Sequence, residues 1–291
     1  MRSLLFVPAD STRKQMRAME SQADALILDL EDSVAVSAKE AGRQAATEFL
    51  LEWRKASRTK KIFVRVNALD TGLADADLDA VMPLRPDAIM LPKATGGHDV
   101  QHLGVKLAVR EAENDLPDGS TQILPIATET AGALFAMGSY ARASRRTCGL
   151  TWGAEDLSAN LGAETNRDAS GAYTSPYMLA RSLTLFAAAH AGVDAIDTVF
   201  GSFRDSAGLR AECEAARRDG FTAKMAIHPD QIAIINEVFT PSPEAIAKAR
   251  MIVEAFERNP DLGVAAVDGE MYDRPHLLRA RRVLARIPEA P

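Results

Sequence analysis

The sequence predicts an α/β protein built as a (β/α)8 TIM barrel, and three observations carry that prediction. Short apolar runs of β type recur eight times along the 291 residues. Each interval between them is long enough for a crossover helix. The runs are nearly continuously apolar, as in a sheet whose faces are covered by helices. A doubly wound open sheet is the alternative, but such sheets usually show a Gly-rich turn after the first strand, and none is present here.

The predicted strands are SLLFVP (3–8), ALILDL (25–30), IFVRVN (62–67), AIMLPK (88–93), ILPIAT (123–128), CGLTWG (148–153), AIDTVF (195–200) and AKMAIH (223–228). Between them, MRAMESQA, KEAGRQAATEFLLEW and PYMLARSLTLFAAAHAG carry apolar residues at helical spacing. The last of these meets Gly192 as a helix stop. The barrel is assigned to residues 1–235 and a helical extension to 236–291. In the extension, TPSPEAIAKARMIVEAFERN opens on a Ser/Pro cap signal and continues as a helix. A Gly/Asp-rich turn and a basic helix follow.

Bulk composition narrows the function. The chain is 47% hydrophobic and 25% charged, ordinary for a globular protein. No apolar run approaches the roughly 18 residues of a membrane span. The apolar core of MRSLLFVPADSTRK is too short for a signal peptide and is broken by proline. A net charge of -6 argues against nonspecific nucleic-acid binding. Cys148 and Cys213 have no metal-binding spacing and read as packing residues of a reducing cytoplasm.

In a TIM barrel, catalytic groups gather at the C-terminal ends of the strands. Those ends supply in turn Asp10 with Arg13, Lys14 and Arg17; Asp29, Glu31 and Asp32; Arg65 and Asn67; Lys93; Glu129; Glu155 and Asp156; Asp197; and His228. Glu129 and Asp156 come from neighbouring strands, so both carboxylates can share one ion. Two carboxylates with other positions left to water and substrate suit Mg2+; zinc calls for a His or Cys cluster the sequence lacks. Glu31 and Asp32 are expected around that ion rather than on it. Each residue also has a plainer reading. Asp156 is a good N-cap for a helix starting at Leu157. The Arg65 fork suits a substrate carboxylate or a salt bridge to Glu31 or Asp32. Arg13, Lys14 and Arg17 either cradle phosphates or form a solvated helix face. His228, ahead of Pro229, is a ligand or a hydrogen-bonded loop residue.

The ordered set LLFVPAD, ALILDLEDSVA, FVRVNALDTG, DAIMLPKA, TETAGAL, WGAEDLSANLG, AIDTVF, KMAIHPDQIAIINEVFTPSPEAIAKAR and DGEMYDRPHLLRAR resembles the citrate lyase beta subunit, malyl-CoA lyase and citramalyl-CoA lyase family, from Leu4 to about Leu284. The resemblance implies a Mg2+-dependent barrel, a homotrimer or a dimer of trimers, that cleaves 3-hydroxyacyl-CoA thioesters. It implies Glu129 and Asp156 as Mg2+ ligands and Arg65 as a substrate-holding catalytic residue. Phe6, Arg13 and Arg17 would contact the CoA ester, and Ile196 and Asp197 would lie in the ligand pocket. Asp273 would be the catalytic acid/base, lent to a neighbouring subunit by an extension that acts as a lid. Three readings of activity stay open: a lyase on free malyl-CoA or citramalyl-CoA, a malyl-CoA thioesterase, and a citrate lyase subunit working on an acyl carrier protein. The sequence departs from the family pattern at Pro8-Ala9-Asp10, where Pro-Gly is common, at Ala223-Lys224, where Gly-Lys is usual, and at Glu270, where Lys is common. An acid at 270 would repel CoA phosphates.

Overall fold

The structure is a computed structural model that describes residues 1–55, 60–258 and 263–287. Eight parallel strands form its centre: β1 (Ser3–Pro8), β2 (Ala25–Asp29), β3 (Lys61–Arg65), β4 (Ala88–Leu91), β5 (Gln122–Pro125), β6 (Gly149–Thr151), β7 (Asp194–Asp197) and β8 (Ala223–Ala226). They lie side by side in the order β5-β4-β3-β2-β1-β8-β7-β6. The two outer strands of that order meet. The Ile123 amide donates to the Arg146 carbonyl (2.8 Å), Cys148 to Ile123 (3.0 Å) and Ala127 to Thr151 (2.8 Å). The sheet therefore curls back on itself, and the fold is a TIM barrel.

Helices α1 (Thr12–Glu20), α2 (Lys39–Lys55), α3 (Ala74–Val81), α4 (Gly97–Glu113), α5 (Ala131–Leu134), α6 (Ala154–Leu161), α7 (Ser175–Ala191) and α8 (Ser206–Asp219) separate the strands, and α9 (Ile232–Phe239) follows β8. Strand alternation sorts the side chains into two layers. Leu4, Ile27, Phe63, Met90, Leu124, Ile196 and Met225 fill the barrel interior with other apolar residues. Their alternate neighbours in β2 and β3, such as Leu28 and Val64, are fully buried as well. Both faces of the sheet are thus covered, as the continuous apolar runs require.

Every predicted strand is present, but most stop earlier than expected. The structure ends β3 at Arg65, β4 at Leu91, β5 at Pro125 and β6 at Thr151. The residues beyond leave the ladder because their polar groups bond side chains instead. Asn67 donates its backbone and side-chain N–H groups to Asp77 (2.7 and 2.6 Å), and the Lys93 amide donates to Glu129. One expectation is corrected at α6. Asp156 is not an N-cap before a helix at Leu157. The helix starts at Ala154, Gly153 is its N-cap residue, and no side chain caps it. Asp156 therefore lies within the first turn. The stop at Gly192 is present, with φ 72°.

The chain divides into two compact units, Met1–Asn236 and Glu237–Pro291. The second contains α10 (Pro243–Arg258), the antiparallel strands β9 (Val264–Val267) and β10 (Glu270–Asp273), and α11 (Arg274–Leu284). The Ser242 hydroxyl accepts from Ala245 at the start of α10 (3.2 Å); Asn259, the last residue assigned to that helix from sequence, lies outside the described residues. The Gly/Asp-rich turn forms the tip of the β9–β10 hairpin. Asp268 and Gly269 both have positive φ (51° and 80°), the pattern of a two-residue hairpin turn. Ile252, Phe256, Tyr272 and Leu277 form this unit's own core.

Candidate active site

The site is built where β2 and β3 end together. Asp29 and Arg65 are direct partners in the parallel register, one step above Ile27 and Phe63 on the interior face. Adjacent strands bring the two charged groups together, and Arg65 grips Asp29 with two parallel bonds of 2.7 Å. It also pairs with Glu31 (3.0 Å) and lies over the Phe6 ring (4.9 Å). The sequence reading offered Glu31 or Asp32 as salt-bridge partners; the main partner is Asp29. Asn67, grouped with Arg65 at the rim, is spent on Asp77.

Lys93 organises the acids. It adopts positive φ (51°), uncommon for a residue with a Cβ and frequent at functional sites. That turn aims its amide at Glu129. Its ammonium contacts Glu31 and stands 3.3 Å from Asp156 and 3.6 Å from Asp32. Five carboxylates, Asp29, Glu31, Asp32, Glu129 and Asp156, thus surround two cations.

The charge excess falls on Glu129. Burial, then repulsion from Asp156 and Glu31, push its carboxyl up to about 8, against the relief from the Lys93 amide. Burial also raises Glu31, although Arg65 and Lys93 oppose it. Asp29 behaves oppositely: burial would raise it, but Arg65 holds it below the ordinary range. A buried carboxylate beside a second one wants a cation. Among the described residues no three His, Cys, Asp or Glu side chains already form a metal cage. The donor set is two carboxylates, which fits a hard divalent ion that keeps water and substrate among its ligands.

A cavity of about 900 Å³ opens over these groups. Of the residues singled out from sequence, Phe6, Arg13, Lys14, Arg17, Asp29, Asp32, Arg65, Glu129, Glu155, Asp156 and His228 line it. Arg13, Lys14 and Arg17 are exposed on α1, whose start is tied down by a Gln15 bond to the Ala9 carbonyl (2.8 Å). His228 caps the next turn by accepting from the Asp230 amide (3.2 Å), and its ring stacks on Phe203 (4.7 Å).

Ile196 and Asp197 do not line the cavity. Ile196 belongs to the barrel core. Asp197 is fully buried, accepting from Trp152 (2.8 Å), Lys224 (3.0 Å) and Arg181 (3.4 Å). Its side chain is a structural ion, because reaching a ligand would strand three buried donors. Lys224, of the departing Ala-Lys pair, is equally buried and also holds Glu212 (2.8 Å). Asp273, in the second unit, ends β10 and N-caps α11, with its carboxylate against His276. Glu270 pairs with Lys248 (3.1 Å) and with the Tyr272 hydroxyl.

Sequence reasoning gave no role to Lys93, to the Asp29–Arg65 pair, or to the aromatic wall of Trp152 and Tyr173 on the cavity. The signal for Lys93 was its place at a strand end. For Tyr173, in an aperiodic loop, there was none.

Acids and a clamped guanidinium beneath a cavity at the C-terminal ends of barrel strands define the active-site rim of a TIM-barrel enzyme. A model of the HpcH/HpaI aldolase/citrate lyase family matches residues 2–229, and the chain belongs to that family of carbon–carbon lyases. It is 36% identical over 287 residues to a (3S)-malyl-CoA thioesterase of Cereibacter sphaeroides, covering 98% of this chain and 94% of the relative. It is 32% identical over 295 residues to the mitochondrial citramalyl-CoA lyase of Rattus norvegicus, covering 97% and 85%. Among solved structures, protein CitE of Mycobacterium tuberculosis in complex with magnesium, acetoacetate and coenzyme A superposes with a TM-score of 0.77 at 34% identity, covering 98% and 97%.

Proposed function

We propose that this chain is a Mg2+-dependent lyase that cleaves a 3-hydroxyacyl-CoA thioester of the malyl or citramalyl type into acetyl-CoA and a 2-keto acid. The observation that carries the reading is the buried Glu129 carboxylate facing Asp156 under a cavity with a basic helix on its wall. The similarity to a protein solved with magnesium and coenzyme A supports both ligands. Glu129 and Asp156 would hold Mg2+, which when bound lowers the pKa of the substrate hydroxyl and offsets charge on the forming keto acid.

This chain's residues do the rest. Arg65, braced by Asp29 and Glu31, gives two of its five N–H donors to Asp29 and pairs by charge with Glu31. The remaining donors face charge that builds on the departing oxygen or the thioester. Arg13 and Arg17 hold the CoA phosphates, and Phe6 packs against the ester. The substrate hydroxyl would give its proton to the Asp273 carboxylate and its oxygen become the keto acid's carbonyl as the bond between the carbinol carbon and the thioester's methylene breaks, and that bond's electron pair passes to the thioester as an enolate. Asp273, supplied by a neighbouring subunit of a homotrimer or hexamer, would give that carbon its proton; in reverse it would remove one. The second unit of that neighbouring subunit would act as a lid that keeps water out.

The thioesterase reading is favoured by the 36% identical relative. Water entering the same site would attack the thioester and release CoA with no keto acid. As a subunit of a citrate lyase in a cytoplasmic assembly, the chain would need an acyl carrier protein. One assay separates these readings: purified protein, Mg2+, and malyl-CoA, citramalyl-CoA or citryl-CoA, with keto acid and free thiol followed separately. Keto acid without thiol is the expected result. Thiol without keto acid replaces the lyase with a thioesterase, and silence on all three esters defeats the stand-alone reading.

A further inference from the structure

We infer that the wall formed by Trp152, Tyr173, Ile126, Val199 and Met225 selects for an uncharged substituent on the carbinol carbon. Hydrogen or methyl is accepted there and a second carboxylate arm is refused. The inference rests on the lyase reading above and narrows its substrate to monocarboxylate 3-hydroxyacyl thioesters. Ile126 and Met225 are both buried in the barrel core, and Phe6 and Val199 pack against them. All of these line the cavity with Trp152 and Tyr173. A Cβ at Gly153 would stand 2.9 Å from Glu129 Cγ and 3.4 Å from Ile126 Cγ2, so this surface adjoins the acid centre, and with hydroxyl and carboxylate of the substrate at Glu129 and Asp156 the third substituent on the same carbon is a bond length away.

A charged arm has no partner there. Arg65 gives two donors to Asp29 and pairs with Glu31, and the donors left serve the departing oxygen or the thioester. The Lys93 ammonium is held by Glu31, near Asp156, and Lys93 does not line the cavity. Arg13, Lys14 and Arg17 line the cavity from α1, where Arg13 and Arg17 serve the CoA phosphates. The His228 ring lies against Phe203 at the end of β8. The neutral Thr198 hydroxyl is another polar group on the lining. The acid centre adds repulsion, with five carboxylates around two cations.

The cations behind the wall are spent on keeping it apolar. Arg167 lies over the Tyr173 ring, 3.7 Å from its centroid, and pairs with Glu212 (3.0 Å). Lys224 pairs with Glu212 and Asp197, and Arg181 with Asp197 and Asp219 (2.7 Å). Asp197 in turn takes the indole N–H of Trp152. That bond commits the only polar atom of the ring, which meets Tyr173 edge-on at 5.0 Å. The buried ion chain thereby presents hydrocarbon to the ligand. A carboxylate placed against it would lose its water and gain no donor.

The test compares malyl-CoA, citramalyl-CoA and citryl-CoA by kcat/KM. In parallel, calorimetry with Mg2+ compares binding of glyoxylate, pyruvate and oxaloacetate. We expect citryl-CoA to be at least 100-fold poorer than the better of the other two, and oxaloacetate at least tenfold weaker than pyruvate. Val199→Lys, which adds a cation to the wall, should narrow the citryl-CoA deficit at least tenfold; the wild-type ratios stand as evidence if that variant does not fold. Comparable turnover of citryl-CoA by the wild type overturns the wall while leaving the lyase. Thiol release with the same ratios overturns the lyase while supporting the wall. No turnover and no keto-acid binding overturns both.

Discussion

Glu129 is the residue on which the metal assignment turns, and its carboxyl makes a signed prediction. The folded chain holds its proton up to about 8, whereas an ordinary glutamate releases it near 4.5. Between those values the folded state binds more protons than the unfolded one, so metal-free stability falls as pH rises through that window. The slope from this one group is up to about 1.4 kcal/mol per pH unit. A divalent ion relieves the repulsion, so Mg2+ should raise Tm more at pH 8 than at pH 6, and Glu129→Gln should flatten both effects. Thermal melts with and without Mg2+ check this; a metal-free Tm independent of pH over the window, identical in the variant, removes the assignment. Asp156→Asn should abolish Mg2+-dependent turnover while the circular dichroism spectrum stays native. Full activity in that variant would sink Asp156 as a ligand.

Among the elements, the β6–α6 junction and α11 are the informative ones. Gly153 lies where a Cβ would stand 2.9 Å from Glu129 Cγ and 3.4 Å from Ile126 Cγ2. Gly153→Ala should therefore push Glu129 off the acid centre. Overpacking of this kind costs roughly 1–3 kcal/mol. We expect a lower Tm and at least a tenfold weaker Mg2+ affinity by calorimetry; unchanged affinity would mean that Glu129 does not bind the ion. At α11, Asp273 has two jobs to separate. It caps the helix with His276 in return, and His276 holds its carboxyl below the ordinary range. Asparagine caps as well as aspartate but cannot exchange a proton as a carboxyl does. Asp273→Asn should keep the second unit's Tm and lose cleavage, while Asp273→Ala should lose both. Activity retained in the asparagine variant would reduce Asp273 to a cap.

For the whole molecule, the question is whether one chain completes the site. If a neighbouring subunit lends Asp273, Asp273→Asn and Arg65→Ala chains are each inactive alone, and co-refolded mixtures contain hybrid sites with both groups intact. Partial recovery in the mixture is expected. No recovery, with hybrid assemblies verified by mass spectrometry, rules out the shared site.

Sequence alone pointed to the barrel, because eight apolar runs with crossover helices between them fit a parallel sheet covered on both faces and no Gly-rich turn marks the open, doubly wound alternative. It also determined which charged residues stand at the strand ends. Arg65 was visible from its place opposite Val64 and Val66 in the alternation, and Glu129 and Asp156 from acids set at the ends of apolar runs. Tertiary structure decided the rest. That Arg65 grips Asp29 follows from the β2–β3 register, which no local pattern encodes. Lys93 became the organiser of the acids through a positive φ and a contact to Glu129, 36 residues away. Asp197, expected at the ligand, turned inward because Trp152, Lys224 and Arg181 all meet there. Periodicity reports which face of an element is buried. It does not report which distant charge shares that burial, and in a low-dielectric interior that partner fixes whether a carboxylate is a ligand, a clamp or part of the core.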